Sequence, residues 1–269
     1  MSSQEKVQLT AEQETLLVPL YCKIHECESI FSDPKAREIA QQIEYDFSGL
    51  DIPRKTCHML CMRAHQFDCY TQEFFTKHHE STVLHLGCGL DSRNLRIKIH
   101  SNIWYDLDLP EVMDLRNKFY EESDCYHMLS YSVTEKEWLD QISANNNPVL
   151  ILAEGLFMYL TEGEVKKLIQ SLVEKFSHGA LIFDAFSTLT AQHASSHPSL
   201  HSTGAKTLWG LDDPGIIEKW IERIKLEEEW YFTQSSQLRN LSWIKRLPYR
   251  IANLFTAAKR AHRILYYNF

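Results

Sequence analysis

No stretch of this 269-residue chain approaches the roughly 18 consecutive apolar residues that a membrane-spanning helix needs. The opening MSSQEKVQLTAEQE is polar and has no apolar centre, so no secretory signal is expected. There is no C-x-x-C pair. The seven cysteines, at 22, 27, 57, 61, 69, 88 and 125, are odd in number, which together with the polar start predicts a reduced, cytoplasmic protein with separate thiols. None of the 13 histidines stands at a recognisable zinc spacing from cysteine partners, so no metal site is expected. Internal repeats and low-complexity blocks are absent. Acidic residues are missing from 237–269, where Arg239, Lys245, Arg246, Arg250, Lys259, Arg260 and Arg263 supply seven positive charges. With a net charge of −8, the rest of the chain carries −15, a balance that argues against nucleic-acid binding.

What remains is the composition of a folded protein. At 44% hydrophobic and 24% charged, the chain has enough apolar side chains for a sizeable core, and a mainly disordered protein is excluded. Residues 1–80 read as helical. Asp33 and Pro34 cap and open a helix through Lys35–Tyr45, and a second helix spans about Lys55–Lys77. From Thr82 the texture changes to short apolar runs at Thr82–Leu86, Ile103–Leu107, Tyr126–Tyr131, Val149–Ala153 and Ala180–Ala185, each the length of a buried strand. Between them lie helical patterns. In Glu162–Phe176, Val165, Leu168, Ile169, Leu172, Val173 and Phe176 form one stripe. Thr161 and Glu164 have capping-box spacing, and Gly179 is expected as the left-handed cap residue. Asp212-Asp213-Pro214 opens a helix to about Ile224, Leu226–Thr233 is a sixth strand, and Arg263–Asn268 a seventh. The basic segment Ser242–His262 is amphipathic and helical, and Pro248 is expected to divide it. Strands alternating with helices give an α/β, Rossmann-like, mostly parallel seven-stranded sheet. Residues 1–269 form one domain, with 1–80 as a helical cover and 81–269 as the core.

Ligands of open α/β sheets bind beyond the carboxyl ends of the strands. Here those ends carry Gly87-Cys88-Gly89-Leu90-Asp91-Ser92-Arg93, Asp106-Leu107-Asp108, Ser130-Tyr131-Ser132 and Glu154-Gly155. A glycine turn followed about 20 residues later by a carboxylate suits a nucleoside whose ribose hydroxyls need an acceptor. The third glycine of a dinucleotide fingerprint is replaced by Ser92, and Asp91 would oppose a pyrophosphate. A cationic, phosphate-free donor fits Asp91, Asp106, Asp108 and Glu154 better. Its own carboxylate would then need Arg63 or Arg93.

The combination GCGLDSR, YDLDLPEV and AEGLFMYL, with DPKA, YDF and MRAHQFD upstream and LWGLDDP downstream, resembles the leucine carboxyl methyltransferase family, closest to its tetracenomycin-type polyketide O-methyltransferases. The likeness runs from about Leu17 to the C-terminus. It implies a class I S-adenosylmethionine-dependent methyltransferase whose last strand is antiparallel. By that resemblance Arg63 meets the donor's carboxylate, Gly87 and Gly89 form its turn, Asp108 holds the ribose, and Glu154 lies at its methionine end. Ser132, followed by Val133, stands where the protein-methylating branch has an Asp beside the adenine.

Several of these residues also have plain structural readings. Asp108 with Glu111 has capping-box spacing, Asp91 divides between capping and ligand contact, and Arg63 is open to an ordinary ion pair. Trp104, Trp138 and Trp209 read as core, Phe157 and Tyr159 as core or pocket wall, and Cys88 as packing. His193, His197 and His201 are candidates for a base, though a solvated loop is preferred. The expected reaction is methylation of a carboxylate, or of a hydroxyl, on a small polyketide-like acceptor. A carboxylate is already anionic at pH 7 and needs no base, whereas a phenol needs one. The alternatives are methylation of a protein C-terminal leucine carboxylate, an NAD(P)-dependent oxidoreductase, and a non-catalytic nucleoside-binding relative. For the basic tail the sharper reading is that Arg246 and Arg250 stand near the mouth for an anionic acceptor.

Overall fold

The computed structural model describes residues 5–6, 16–25, 27, 30–50, 52–97, 101–144, 146–194, 206–241 and 243–269. Its sheet contains β1 (Thr82–Leu86), β2 (Ile103–Asp108), β3 (Tyr126–Ser130), β4 (Val149–Ala153), β5 (Gly179–Phe186), β6 (Lys225–Tyr231) and β7 (His262–Asn268). The strand order is β3-β2-β1-β4-β5-β7-β6. The first five strands are parallel, and β7 runs antiparallel to both β5 and β6. Continuous apolar runs such as VLILA are what a parallel strand covered on both faces requires, and β4 is buried at every position.

Side chains alternate across the sheet. Val83, Leu150, Leu152, Ile182 and Ile264 pack on one face, in a core shared with the N-terminal helices. Those helices are α1 (Leu17–His25), α2 (Pro34–Gln42) and α3 (Arg54–Lys77). They contribute Leu17, Ile39, Phe67 and Phe74 to that core. Each such side chain, fully buried, stabilises the fold by roughly 1.5–3 kcal/mol. On the other face, Leu84, Leu86, Ile151 and Leu181 meet Val165, Ile169 and Leu172 of a helix over Glu162–Lys175. That helix begins with the expected Thr161–Glu164 capping box. Likewise, the Asp33 carboxylate accepts from the Ala36 N–H at 2.9 Å, and Pro34 occupies the first turn. The remaining helices, taken in chain order as α4 to α10, are Arg93–Arg96, Pro110–Arg116, Glu162–Lys175, Thr188–Ala194, Gly215–Trp220, Trp243–Ala252 and Thr256–Arg260.

Five expectations are corrected. The helix expected through Tyr45 stops at Gln42, and Ile43–Glu44 pairs in parallel with Glu5–Lys6 as a separate two-stranded sheet, so residues 1–80 are not helical throughout. Gly179 does not cap α6. It begins β5, where a Cβ would stand 2.0 Å from the Val149 carbonyl oxygen, so close strand pairing is what demands glycine. Pro248 lies inside α9, and the chain breaks instead at 253–255. The hydrogen bond a proline cannot make would go to the carbonyl of Ile244, which is exposed and open to water. The helix after Pro214 stops at Trp220 instead of near Ile224. Finally, the thiols are not all separate. Cys22 is joined to Cys57 and Cys27 to Cys61, because α1 and the segment after it lie along α3 with Cα atoms 4.7 and 5.5 Å apart. Cys69, Cys88 and Cys125 are free. Among the described residues, no helix is long and apolar enough to cross a membrane, and no cluster of His, Cys, Asp and Glu is arranged for a metal ion.

Candidate active site

A cavity of about 350 Å³ lies at the carboxyl edge of the sheet, roofed by α1 and α3. Its floor follows the strand order. The glycine turn after β1 stands at one end, Glu154 and Gly155 after β4 come next, and Phe186 at the end of β5 and His262 at the start of β7 close the other end. Leu20, Met59, Leu60, Met158 and Tyr159 make much of the wall apolar, which is the usual character of a small-molecule site.

At Gly87, Gly89 and Gly155 the backbone has φ of 64°, 53° and 67°, the left-handed region that side chains disfavour. The chain thus turns sharply and offers bare backbone to the cavity. Asp108 fastens this turn. One carboxylate oxygen accepts from the Gly89 N–H at 2.7 Å and the other from the Leu109 N–H at 2.8 Å. It makes no capping box, because α5 has Leu109 at its N-cap and no side-chain cap. Burial pushes the Asp108 carboxyl upward, against the two N–H groups that hold it down.

Asp106, by contrast, belongs to the interior. It is fully buried and pairs with Arg116, accepts from Trp104 Nε1 at 2.8 Å and the Tyr126 hydroxyl at 2.6 Å, and faces His85 Nδ1 at 3.0 Å. Burial alone would raise its pKa. Arg116, His85 and Tyr126 outweigh that and bring it down to about 2. Asp106 is therefore removed from the ligand candidates: an acid with this many partners has none to spare.

Nor is the crevice a simple acidic surface. Asp91 pairs with Lys23, with Arg96 at 2.7 Å and with Arg93 at 3.2 Å. These cations overcome burial and hold its carboxyl well below the usual range. Arg93, with no exposed surface, is locked by Asp68 at 2.7 Å and by Glu154, so it is not the donor-carboxylate partner that sequence left open. Arg63 is different. Its Nε donates to Glu154 Oε1 at 2.9 Å and its Nη1 to Asp184 Oδ2 at 2.8 Å, while Nη2 hydrogen-bonds to no described residue. Gly155 leaves that nitrogen room: an added Cβ would come within 3.1 Å of it. Although burial works against the Arg63 charge, Asp184 and Glu154 more than compensate and raise its pKa. The crevice is thus a compensated network of Asp33, Asp68, Asp91, Glu154 and Asp184 with Lys23, Arg63, Arg93 and Arg96.

Most of the other candidates fall outside the cavity wall. Ser132 Oγ is engaged with Thr134 Oγ1 at 2.8 Å within its own loop, next to the buried Val133. That loop follows β3 directly, and Asp108 is in register with Ser130, so Ser132 and Val133 come just beyond Asp108 along the same edge of the sheet. His193 is exposed on α7, and His197 and His201 lie outside the described residues. Arg246 donates to the carbonyls of Leu241 and Arg239, Arg250 is exposed, and neither lines the cavity. The tail's sharper reading is therefore set aside, and α9 instead turns Trp243, Ile244, Leu247 and Ile251 to solvent. Trp104, Trp138 and Trp209 are core, as is Phe157. Tyr159 lines the cavity with its hydroxyl pushed up to about 12 by burial, and burial pushes the Cys88 thiol well up, which fits packing and not nucleophilic attack.

Comparison with known proteins matches residues 22–173 to the model of the family "Leucine carboxyl methyltransferase". The chain is 32% identical to "Tetracenomycin polyketide synthesis O-methyltransferase TcmP" of Streptomyces glaucescens, over 98% of this chain and 99% of that protein. The chain belongs to the leucine carboxyl methyltransferase family. A second member-like relative, "S-adenosyl-L-methionine-dependent methyltransferase dpfgK" of Gibberella zeae, is 28% identical over 95% of this chain and 94% of its own length. Among solved structures, the fold is shared with a DUF574 family protein from Streptomyces avermitilis, with a TM-score of 0.58, 10% identity and coverage of 92% and 96% of the two chains. The plantazolicin methyltransferase BamL, solved with S-adenosylhomocysteine (SAH), has a TM-score of 0.52 at 11% identity, covering 95% of this chain and 96% of its own. This leucine carboxyl methyltransferase family member is therefore a class I, S-adenosylmethionine-dependent methyltransferase, and the oxidoreductase alternative is closed.

The cavity suits that cofactor. It combines bare backbone at three glycines with one guanidinium nitrogen left over after its ion pairs, and the buried Asp108 carboxylate is bonded to the glycine turn without itself lining the wall. Sequence reading missed Asp184, His262, Lys23, Asp68 and Arg96. The signal for Asp184 was present, as an acid inside the apolar run LIFDAF.

Proposed function

We propose that this enzyme transfers the methyl group of S-adenosylmethionine to an oxygen, carboxylate or hydroxyl, of a small and largely apolar acceptor. The observation that carries the reading is the cavity itself, in which the glycine-turn backbone, Glu154 and Arg63 Nη2 supply polar groups while Leu20, Met59, Leu60, Met158 and Tyr159 supply an apolar wall. Arg63 Nη2 would hold the donor's carboxylate, and the backbone at Gly87 and Gly89 would lie against its nucleoside. Asp108 would accept from the ribose hydroxyls, and Ser132 and Val133 would border the adenine. Glu154 would face the cationic methionine end. Asp91 would act through Lys23, Arg93 and Arg96, which it holds around the turn. The 1–80 segment and the 81–269 core would then act as one domain, the former closing the site from above.

When bound, the sulfonium supplies an activated methyl group, so the protein's own task is alignment and exclusion of water. The α1 and α3 roof would limit solvent access over the bound donor, and the left-handed glycines would let the backbone approach the nucleoside closely. The enzyme is proposed to work in the cytoplasm on a small molecule, with no nucleic-acid or membrane partner. There the Cys22–Cys57 and Cys27–Cys61 bridges would meet a reducing thiol pool, which thiol labelling in extracts would read directly. Calorimetry with S-adenosylmethionine and SAH tests the core of the reading, and no heat of binding with well-folded protein refutes it. A screen of acceptors with labelled donor then separates an active enzyme from a nucleoside-binding relative.

A further inference from the structure

At the end of the cavity formed by β5 and β7, His262 meets Asp184. The His262 Nε2 and Asp184 Oδ2 atoms are 2.7 Å apart, and Asp184 also accepts from Arg63 Nη1 at 2.8 Å and from the Gly155 N–H. The pairing follows from sheet register. Phe186 of β5 faces His262 of β7, so Asp184, two residues earlier, sits diagonally across on the same face. Phe186 and Phe232 hold the ring with centroids 4.6 and 4.7 Å away. The Asp184 side chain is fully buried, while that of His262 keeps 10% of its surface and forms part of the cavity wall. No described residue hydrogen-bonds to Nδ1.

An acid held as its anion accepts a hydrogen bond from the nearer imidazole nitrogen, which fixes the proton on that nitrogen and leaves a lone pair on the other. Asp184 is kept anionic because Arg63 and His262 outweigh its burial. Nε2 therefore carries the proton, and Nδ1 is a base. Burial lowers the His262 pKa from its ordinary value, with Asp184 opposing, so the ring is neutral at pH 7. The charged groups facing it are Asp184 from β5, Glu154 from the turn after β4 and Arg63 from α3, while Phe186 and Phe232 add none.

We infer that His262 is the proton acceptor of the methyl transfer, positioned by Asp184, and that the acceptor enters carrying an O–H on an otherwise apolar body. This rests on the methyltransferase reading above. In the step, the O–H bond breaks and its proton joins His262 Nδ1. The oxygen's electron pair forms the new O–CH3 bond. The methyl–sulfur bond breaks with its pair passing to sulfur, which becomes a neutral thioether. One positive charge, on sulfur before, is on the imidazolium after. Leu20, Met59, Leu60 and Met158 make the wall largely apolar, and the Arg63 charge is already met by Glu154 and Asp184, so the cavity favours an uncharged acceptor over its anion and a base is useful there. The shared chemistry is an O–H acid, and phenolic and carboxylic members of the acceptor panel distinguish its two sources.

The test is His262→Gln, whose amide still donates toward Asp184 but lacks the Nδ1 lone pair. For the wild type, the logarithm of kcat/KM should fall on acidification with the pKa of His262, and an NMR titration of its ring, with no acceptor present, should give the same value, below 6.5. For His262→Gln, kcat should fall about 10²- to 10⁴-fold, the acid limb should vanish, and the Kd of SAH should stay within about twofold. Asp184→Asn should move the ring titration. Turnover and acid limb unchanged in His262→Gln, with donor binding intact, would overturn the assignment. Absence of donor binding in the wild type would instead defeat the methyltransferase reading on which it rests.

Discussion

Arg63→Met keeps much of the side-chain volume of Arg63 and removes the one described cation that bridges Glu154 and Asp184. Breaking a buried ion pair by deleting one partner costs about 3–5 kcal/mol. Here the lower end is expected, because Glu154 keeps Arg93, and Asp184 keeps His262 and the Gly155 N–H. At 2–4 °C per kcal/mol, a loss of about 3 kcal/mol lowers Tm by roughly 6–12 °C at pH 7.5. The pH dependence is the sharper part. In the wild type, Asp184 is held far below the usual carboxylate range, so its stabilisation is complete above pH 4 or so and is lost only in stronger acid. His262, with its folded pKa lowered, costs the wild type stability as pH falls through its unfolded value near 6.5. Without Arg63, burial still lowers His262, but the charge that adds to burial is gone, and Asp184 and Glu154 raise the pKa relative to the wild type. The variant therefore gains relative stability as its folded state takes up a proton on acidification. Each unit of upward shift is worth about 1.4 kcal/mol. The Tm gap between the two proteins should narrow from pH 7.5 to pH 5.5, as read by calorimetric scans. A gap below about 2 °C at pH 7.5, or one that widens in acid, would refute the network as described.

The two acids of β2 should separate cleanly. Asp106→Asn leaves Arg116 buried beside an uncharged partner and should cost about 3–5 kcal/mol in urea denaturation. Asp108→Asn should weaken S-adenosylmethionine binding about 10- to 100-fold, the loss of a charged hydrogen bond, and, because an amide has one oxygen for the Gly89 and Leu109 N–H groups, should cost the fold only about 1–3 kcal/mol. The opposite ranking would reverse their roles. Gly179→Ala forces β4 and β5 apart against the Val149 carbonyl and should cost about 1–3 kcal/mol or more, lowering the urea midpoint at constant m. An unmoved midpoint would contradict the register. Reducing and alkylating the protein should destabilise it by about 4 kcal/mol for the first 35-residue loop opened and by less for the other, which overlaps it. Equal Tm with and without reductant would mean that the bridges contribute nothing.

The order of strands and helices was written in the chain, because burial on both faces of a parallel sheet leaves continuous apolar runs and amphipathic helices leave a stripe. Thr82–Leu86 and Val149–Ala153 occur at their expected bounds, and the Asp33 and Thr161 caps form as their local spacing requires. The glycine turn and Asp108 were equally legible, since a strand end followed by G-x-G is a local signal. What only the tertiary structure decided is how the charges pair. Arg63, Glu154 and Asp184 are separated by 91 and 121 positions along the chain, and no local pattern links them. For the same reason Asp106 and Asp108, two residues apart and so on one face of the strand, have different partners: Asp106 lies within the strand beside Arg116, whereas Asp108 at its carboxyl end holds the glycine turn. His262 could not be singled out from a basic tail until the antiparallel return of β7 set it diagonally across from Asp184. Sequence determined that a nucleoside-binding edge exists. Long-range register determined which of its acids are already spent on neighbours and which base stands at the acceptor's end.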